Sequence, residues 1–107
     1  MNYEIKNSFI KAKIKSFGAE LNSLQKIEND FEYIWQANSQ YWARHSPVLF
    51  PIVGRLKNDS YFYKDKKYSL SQHGFARDKE FELIKKEDDF IEFSLKNDEK
   101  TFEIYPF

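Results

Sequence analysis

Ile10-Lys11-Ala12-Lys13-Ile14-Lys15 sets the fold class of this chain. Three apolar residues alternate with three lysines. Successive side chains of a strand point to opposite faces, so a period of two puts one face against a core and the other in water. Phe17-Gly18 interrupts the pattern, and Ala19-Glu20-Leu21-Asn22-Ser23-Leu24 resumes it in extended form. Asn29-Asp30 signals a turn, after which Phe31, Tyr33 and Trp35 share one face of a further predicted strand. Tyr61-Phe62-Tyr63 and Tyr68-Ser69-Leu70 flank a Lys64-Asp65-Lys66-Lys67 turn and read as a hairpin. Phe81-Glu82-Leu83-Ile84-Lys85, a Glu87-Asp88-Asp89 turn, and the alternating Ile91, Phe93 and Leu95 follow. Asn97-Asp98-Glu99 turns the chain again, and Phe102 and Ile104 alternate around Glu103 in a final predicted strand. Residues 37–59 read as irregular, with one helical turn over Ser39–Arg44 capped by Ser39. No segment carries a sustained period of 3.6. The expected fold is therefore all-β, an antiparallel β-sandwich with little helix, forming a single domain over residues 1–107.

Composition narrows the partners. Seventeen Lys and Arg balance seventeen Asp and Glu, so the chain lacks the basic excess of a nucleic-acid or membrane-surface binder. It has no cysteine, which excludes disulfides and thiolate metal sites. Met1–Lys6 lacks the apolar core of a signal peptide, and no apolar run approaches the ~20 residues that span a bilayer. A cytoplasmic location is the expectation. Aromatic residues make up 19% of the chain, and most are assigned to sheet faces and core rather than to ligand stacking.

Two segments stand apart from the strand pattern: Ser46-Pro47-Val48-Leu49-Phe50-Pro51-Ile52-Val53-Gly54-Arg55-Leu56-Lys57 and Gln72-His73-Gly74-Phe75-Ala76-Arg77-Asp78. Each joins an apolar stretch, with Pro or Gly, to a cationic or imidazole side chain. His73 can donate to a ligand hydroxyl, act as acid or base, or bind a metal; it can equally be a structural histidine bonded to backbone. The Arg55 fork suits vicinal hydroxyls or a carboxylate, and also suits a salt bridge to one of the many acids. Arg77 and Asp78 can simply pair with neighbouring charges. His45 has no ligand spacing to His73, so no metal site is expected. Three glycines provide no phosphate loop, and there is no G-x-S-x-G elbow.

Tyr33-Ile34-Trp35-Gln36, Tyr41-Trp42, Pro47 to Arg55, and Gln72 to Asp78 resemble the aldose 1-epimerase (galactose mutarotase-like) family, in particular its bacterial LacX-type branch. Phe17 to Leu24 and Tyr105-Pro106-Phe107 fit the same pattern, so the resemblance runs the length of the chain. It implies a supersandwich of antiparallel sheets and an isomerase of carbohydrate metabolism. The implied chemistry interconverts the α and β anomers of an aldohexose by general acid–base ring opening, with no metal or organic cofactor. Arg55 and His73 match positions that bind sugar hydroxyls or the ring region. Arg77 follows the pattern of the hexose-6-phosphate epimerase branch, where a nearby arginine assists phosphate binding. The implied partner is galactose or glucose, free or phosphorylated. The family's catalytic histidine and glutamate belong to later segments that this sequence does not contain, so no catalytic residue is assigned.

The expectation is thus the N-terminal part of a longer mutarotase-like domain, which binds sugar without the acid–base pair. A non-catalytic carbohydrate-binding or interaction module is the alternative. An apolar final strand at Phe102–Phe107 would leave an exposed edge open to pairing with another copy of the chain.

Overall fold

The computed structural model describes every residue from Met1 to Phe107. Three strands, β1 (Asn2–Lys6), β2 (Ile10–Lys15) and β3 (Glu20–Lys26), form an antiparallel sheet in that order. Ile5 lies opposite Ala12, and Tyr3 opposite Ile14. Ile14 is buried while Lys13 beside it is exposed, as the alternation requires. Asn7 closes the β1–β2 turn: its side-chain oxygen accepts from the N–H groups of Phe9 at 2.8 Å and Ile10 at 3.0 Å. The β2–β3 turn requires Gly18, whose φ is +73° and where a Cβ would stand 2.7 Å from the Arg77 carbonyl oxygen.

Two hairpins follow. β4 (Ser60–Tyr63) pairs with β5 (Lys66–Ser69), and Tyr61 stacks on Tyr68 at 5.3 Å between ring centroids. Their turn is only Lys64-Asp65, both with positive φ, the two-residue geometry that follows strand twist. Lys66 and Lys67, expected in the turn, instead pair with Tyr63 and Phe62. β6 (Glu82–Lys86) pairs with β7 (Ile91–Ser94) across a bulge between Leu83 and Lys85. This hairpin docks on the first sheet through an edge-to-face contact of Tyr3 with Phe93 and a 2.7 Å bond from the Lys6 N–H to the Asp88 carbonyl. The antiparallel all-β expectation is met, with one short helix.

Three local expectations are corrected. Phe31–Trp35 is not a strand: only Glu32 bridges to β3, opposite Gln25. The Glu32 carboxylate accepts from the Ser23 hydroxyl and from the N–H groups of Leu24 and Ile34. A side chain has taken backbone donors that a ladder would use. The turn after residue 37 is organised by Asn38 rather than Ser39, since the Asn38 side chain accepts from the Gln40 N–H and its carbonyl from those of Tyr41 and Trp42. The final predicted strand is a helix, α1 (Glu99–Ile104). Asp98 accepts from the Thr101 N–H at 2.7 Å, and the Thr101 hydroxyl accepts from the Asp98 N–H at 2.8 Å. This capping box nucleates the turn. The edge expected of a final strand is therefore not formed there. No helix is long and apolar enough to cross a membrane.

The core is thin. Only 10 of 107 residues are buried, the apolar ones including Ile14, Tyr68, Leu70 and Ala76. The Cα radius of gyration is 16.7 Å, against roughly 13 Å for a compact domain of this length. Phe50, Val48, Phe81 and Leu95 line an open apolar cavity of about 280 Å³. Phe50 and Leu95 also belong to a neighbouring cavity of about 310 Å³, bordered by Phe75, Tyr105 and Phe107.

The largest fully buried side chain is polar. Glu20, 2% exposed, accepts from the N–H groups of His45 at 2.8 Å and Ser46 at 3.1 Å, and pairs with the Lys15 ammonium at 2.7 Å. The Ser46 hydroxyl donates to the Leu21 carbonyl. These bonds fasten the irregular 37–59 segment to β3. Burial pushes the Glu20 pKa up, but the Lys15 and His45 bonds and charges together outweigh it and leave the carboxyl below its ordinary value. Burial is likewise outweighed at Glu32 by its Ser23, Leu24 and Ile34 donors.

Glu20→Ala orphans two backbone N–H groups at a buried site, at about 1–3 kcal/mol for each unsatisfied group; a urea unfolding midpoint well below wild type is expected, with Glu20→Gln intermediate because it keeps one acceptor. Both carboxylates have folded-state values below their unfolded ones. Their stabilisation is full above the unfolded carboxylate range and drains as pH falls through the folded values. Unfolding curves recorded from neutral to acid pH should show this loss, and Glu20→Gln should flatten it.

Candidate functional site

The two segments singled out in the sequence cross in space. Phe50 bridges to Gly74 in parallel, and the Phe50 carbonyl accepts from the N–H groups of Phe75 at 2.9 Å and Ala76 at 3.2 Å. Gly74 has a φ of +69°, and a Cβ on it would stand 2.2 Å from the Phe50 oxygen, so only glycine fits the crossing. Behind it, Phe50, Phe75 and Tyr105 pack edge-on or tilted with centroids 6.0–6.3 Å apart. This aromatic trio is completed by Tyr105, the residue that follows α1.

His73 and Gly54 meet at the other end of the crossing. The His73 N–H donates to the Gly54 carbonyl at 2.8 Å, and the Gly54 N–H donates to His73 Nδ1 at 2.8 Å. His73 has a φ of +65°, a left-handed conformation uncommon outside glycine but more accessible to histidine than to most residues. The turn beneath it is closed by the Gly74 N–H on the Ser71 carbonyl. The imidazole is thus a backbone-anchored group whose far nitrogen, Nε2, has no bond to protein.

Arg55 follows Gly54 directly, so its backbone adjoins the peptide group that meets His73. The Arg55 side chain is 66% exposed. Its Nε and Nη2 donate to the two oxygens of Asp59, both at 2.8 Å, in a fork-to-carboxylate pair. The hydrogen bond and charge of Asp59 raise the Arg55 pKa, and those of Arg55 lower that of Asp59. The salt-bridge reading of Arg55 therefore holds, and Nη1 and the outer Nη2 hydrogen remain uncommitted. Asp59 was not singled out in the sequence. The Arg55-x-x-x-Asp59 spacing was its only signal, and it means little where no helix is expected.

Arg77 lies on the same loop as His73 but is turned to another task. Its Nη2 donates to the Gln72 carbonyl at 3.3 Å, and its Nε is shielded from solvent without a hydrogen-bond partner, 3.8 Å from Asp78. Arg44 pairs with the same Asp78 at 2.8 Å. Arg77 makes no hydrogen bond or ion pair with Arg55 or His73. Trp35, Tyr41 and Trp42 form an exposed aromatic group, with the Trp35 Nε1–H on the Trp42 carbonyl at 2.8 Å and Trp35 edge-on to Tyr41 at 6.2 Å. No cluster of three or more His, Asp or Glu side chains is gathered for a metal. The largest cavity, about 560 Å³, is lined by residues from β5, the α1 region and Pro106, and by none of the three candidates. Chemically, Arg55 offers uncommitted guanidinium donors and His73 a ring nitrogen with no protein partner.

Known proteins share this backbone fold. Over its full length the chain superposes on a galactose mutarotase related enzyme from Lactobacillus acidophilus, with a TM-score of 0.98, 52% identity and 36% of that chain covered. A galactose mutarotase-like protein from Lactobacillus casei gives 0.96, 39% and 36%. The plasmid LacX protein of Lactococcus lactis is 34% identical over 110 residues, covering 98% of this chain and 36% of LacX. The chain thus spans about a third of the length of the relatives it matches. The aldose 1-epimerase family model matches residues 1–107. The crossing that joins Gly54 to His73 therefore stands within a chain that belongs to the aldose 1-epimerase family.

Proposed function

We propose that this chain supplies the hexose-binding half of an aldose 1-epimerase site. The observation that carries the reading is the Gly54–His73 pairing, which anchors His73 by bonds to the Gly54 peptide group, with the exposed Arg55 next in the chain. Arg55 and His73 then bind hydroxyl or ring oxygens of an aldohexose, galactose or glucose. In the reaction a base removes the anomeric proton and an acid protonates the ring oxygen. The ring opens, the C1–C2 bond rotates, and closure on the other face yields the other anomer. Positioned acid and base groups are typically worth ~10²–10⁴-fold. The family resemblance assigns that pair to other segments of such proteins, so the residues of this chain are assigned sugar binding only. Residues 1–107 then act as the front part of one mutarotase-like domain.

A second reading rests on the exposed Trp35, Tyr41 and Trp42 group, which offers ring faces to a sugar independently of Arg55. That module would bind carbohydrate without catalytic partners. Phosphorylated hexose is the third. It would enlist Arg77, whose Nε is shielded from solvent and whose Nη2 bonds the Gln72 carbonyl, so the unphosphorylated sugar is preferred here.

Titration with galactose and glucose, followed by tryptophan fluorescence, should give saturable binding. Arg55→Ala and His73→Ala should each weaken it about tenfold, the value of a lost bond to a charged or well-placed donor. No response to either hexose at millimolar concentration would refute both sugar readings, and loss on Trp35→Ala but not Arg55→Ala would favour the binding module. Polarimetry should show no His73-dependent mutarotation by the isolated chain. Glucose 6-phosphate should bind no better than glucose, and Arg77→Ala should not change their ratio. Gly74→Ala should lower both the urea midpoint and hexose affinity, because the crossing cannot close over a Cβ.

A further inference from the structure

We infer that the Gly54 peptide group positions His73 by fixing its neutral ring as the Nε2–H tautomer, so that the site presents one hydrogen-bond donor there and no acceptor. The tautomer follows from backbone geometry alone. Its use on a sugar rests on the function proposed above.

The Gly54 N–H points at Nδ1 from 2.8 Å. A neutral imidazole has one donor and one acceptor nitrogen, and an N–H can only meet the acceptor. Nδ1 therefore carries the lone pair and Nε2 the hydrogen. Turning the ring over would set Cδ2–H against the Gly54 N–H and leave that donor unpaired. The reverse bond, His73 N–H to the Gly54 carbonyl at 2.8 Å, closes the pair and restrains the ring's backbone as well. A ring held in this way reads acceptor oxygens on a ligand and cannot accept a proton from a hydroxyl through Nε2.

Gly54 is needed for its conformation rather than for space. Its φ is +83°, yet nothing lies within 4 Å of where a Cβ would stand. An alanine there strains the backbone without a clash, whereas asparagine tolerates the left-handed region better. Asparagine at position 73 also tolerates the φ of +65° and places its Oδ1 where Nδ1 stands, keeping an acceptor for Gly54 but removing the far donor.

Long-range ¹H–¹⁵N correlation spectra of the sugar-free protein, labelled with ¹⁵N-histidine, read the tautomer directly. The expected pattern for His73 at a pH where the ring is neutral is Nε2–H with an acceptor-type Nδ1. Gly54→Ala should turn it into a mixture, and Gly54→Asn should restore the single tautomer. His73→Asn should keep the urea midpoint near wild type while weakening hexose binding about tenfold. An Nδ1–H tautomer, or a mixture in the wild-type protein, would overturn the positioning role. Unchanged hexose affinity in His73→Asn would overturn the donor role of Nε2. The expected tautomer together with no hexose binding by the wild type would uphold the positioning and sink the proposed function instead.

Discussion

Everything at the candidate site depends on how closely the backbones of Phe50 and Gly74 approach. A Cβ on Gly74 would meet the Phe50 oxygen at 2.2 Å and Pro51 at 2.6 Å, so the crossing exists only because residue 74 has no side chain. One carbonyl, that of Phe50, serves two N–H donors beyond it. Four residues from Phe50, Gly54 meets His73 in a reciprocal pair. The aromatic trio behind the crossing draws in Tyr105, and the Tyr61 hydroxyl donates to the Ile104 carbonyl at 2.7 Å. The β4–β5 hairpin, α1 and the two loops are thereby tied to one point. Displacement of that point would move Arg55 and His73 together.

The scaffold around this point is held less by a hydrophobic core than by polar clamps. Glu20 binds the N–H groups of His45 and Ser46 in the segment laid along β3, and Glu32 binds those of Leu24 in β3 and of Ile34 beside itself. Where a sheet would normally continue by ladder pairing, a carboxylate does the same work from a side chain. Such clamps hold irregular chain in place, which is what loops bearing a binding site require. Meanwhile the apolar face from Val48 to Phe107 remains open, in a chain about a third the length of relatives with nearly the same backbone. Exposed apolar surface of this kind marks a place where further polypeptide packs or a ligand binds.

Period-two alternation settled β2, β3 and both hairpins, because half-buried strands leave a direct trace in residue order; β1 was not read from it. Arg55, His73 and Arg77 were visible as candidates because charged and imidazole groups next to Gly and Pro in apolar runs are unusual. Where reading residues in order failed, side-chain hydrogen bonds to the backbone had overridden periodicity. Glu32 dissolved a strand over Phe31–Trp35, and the Asp98–Thr101 capping box turned Phe102–Ile104 into a helix. The Asp-x-x-Thr signal was legible, but a two-residue alternation is too short to outweigh it.

By itself, then, the sequence determined the all-β class, the lack of cysteine, the balance of charge, and the candidate residues Arg55, His73 and Arg77. Tertiary structure alone decided what those residues do. It joined Arg55 to Asp59, set Arg77 to brace its own loop, and put the Gly54 N–H on His73 Nδ1. The physical reason is that strand alternation is a local property, repeated along the chain and readable there. A hydrogen bond between residues 54 and 73 depends on two loops meeting, and the closeness of that meeting is set by a glycine whose neighbour in space is distant in sequence.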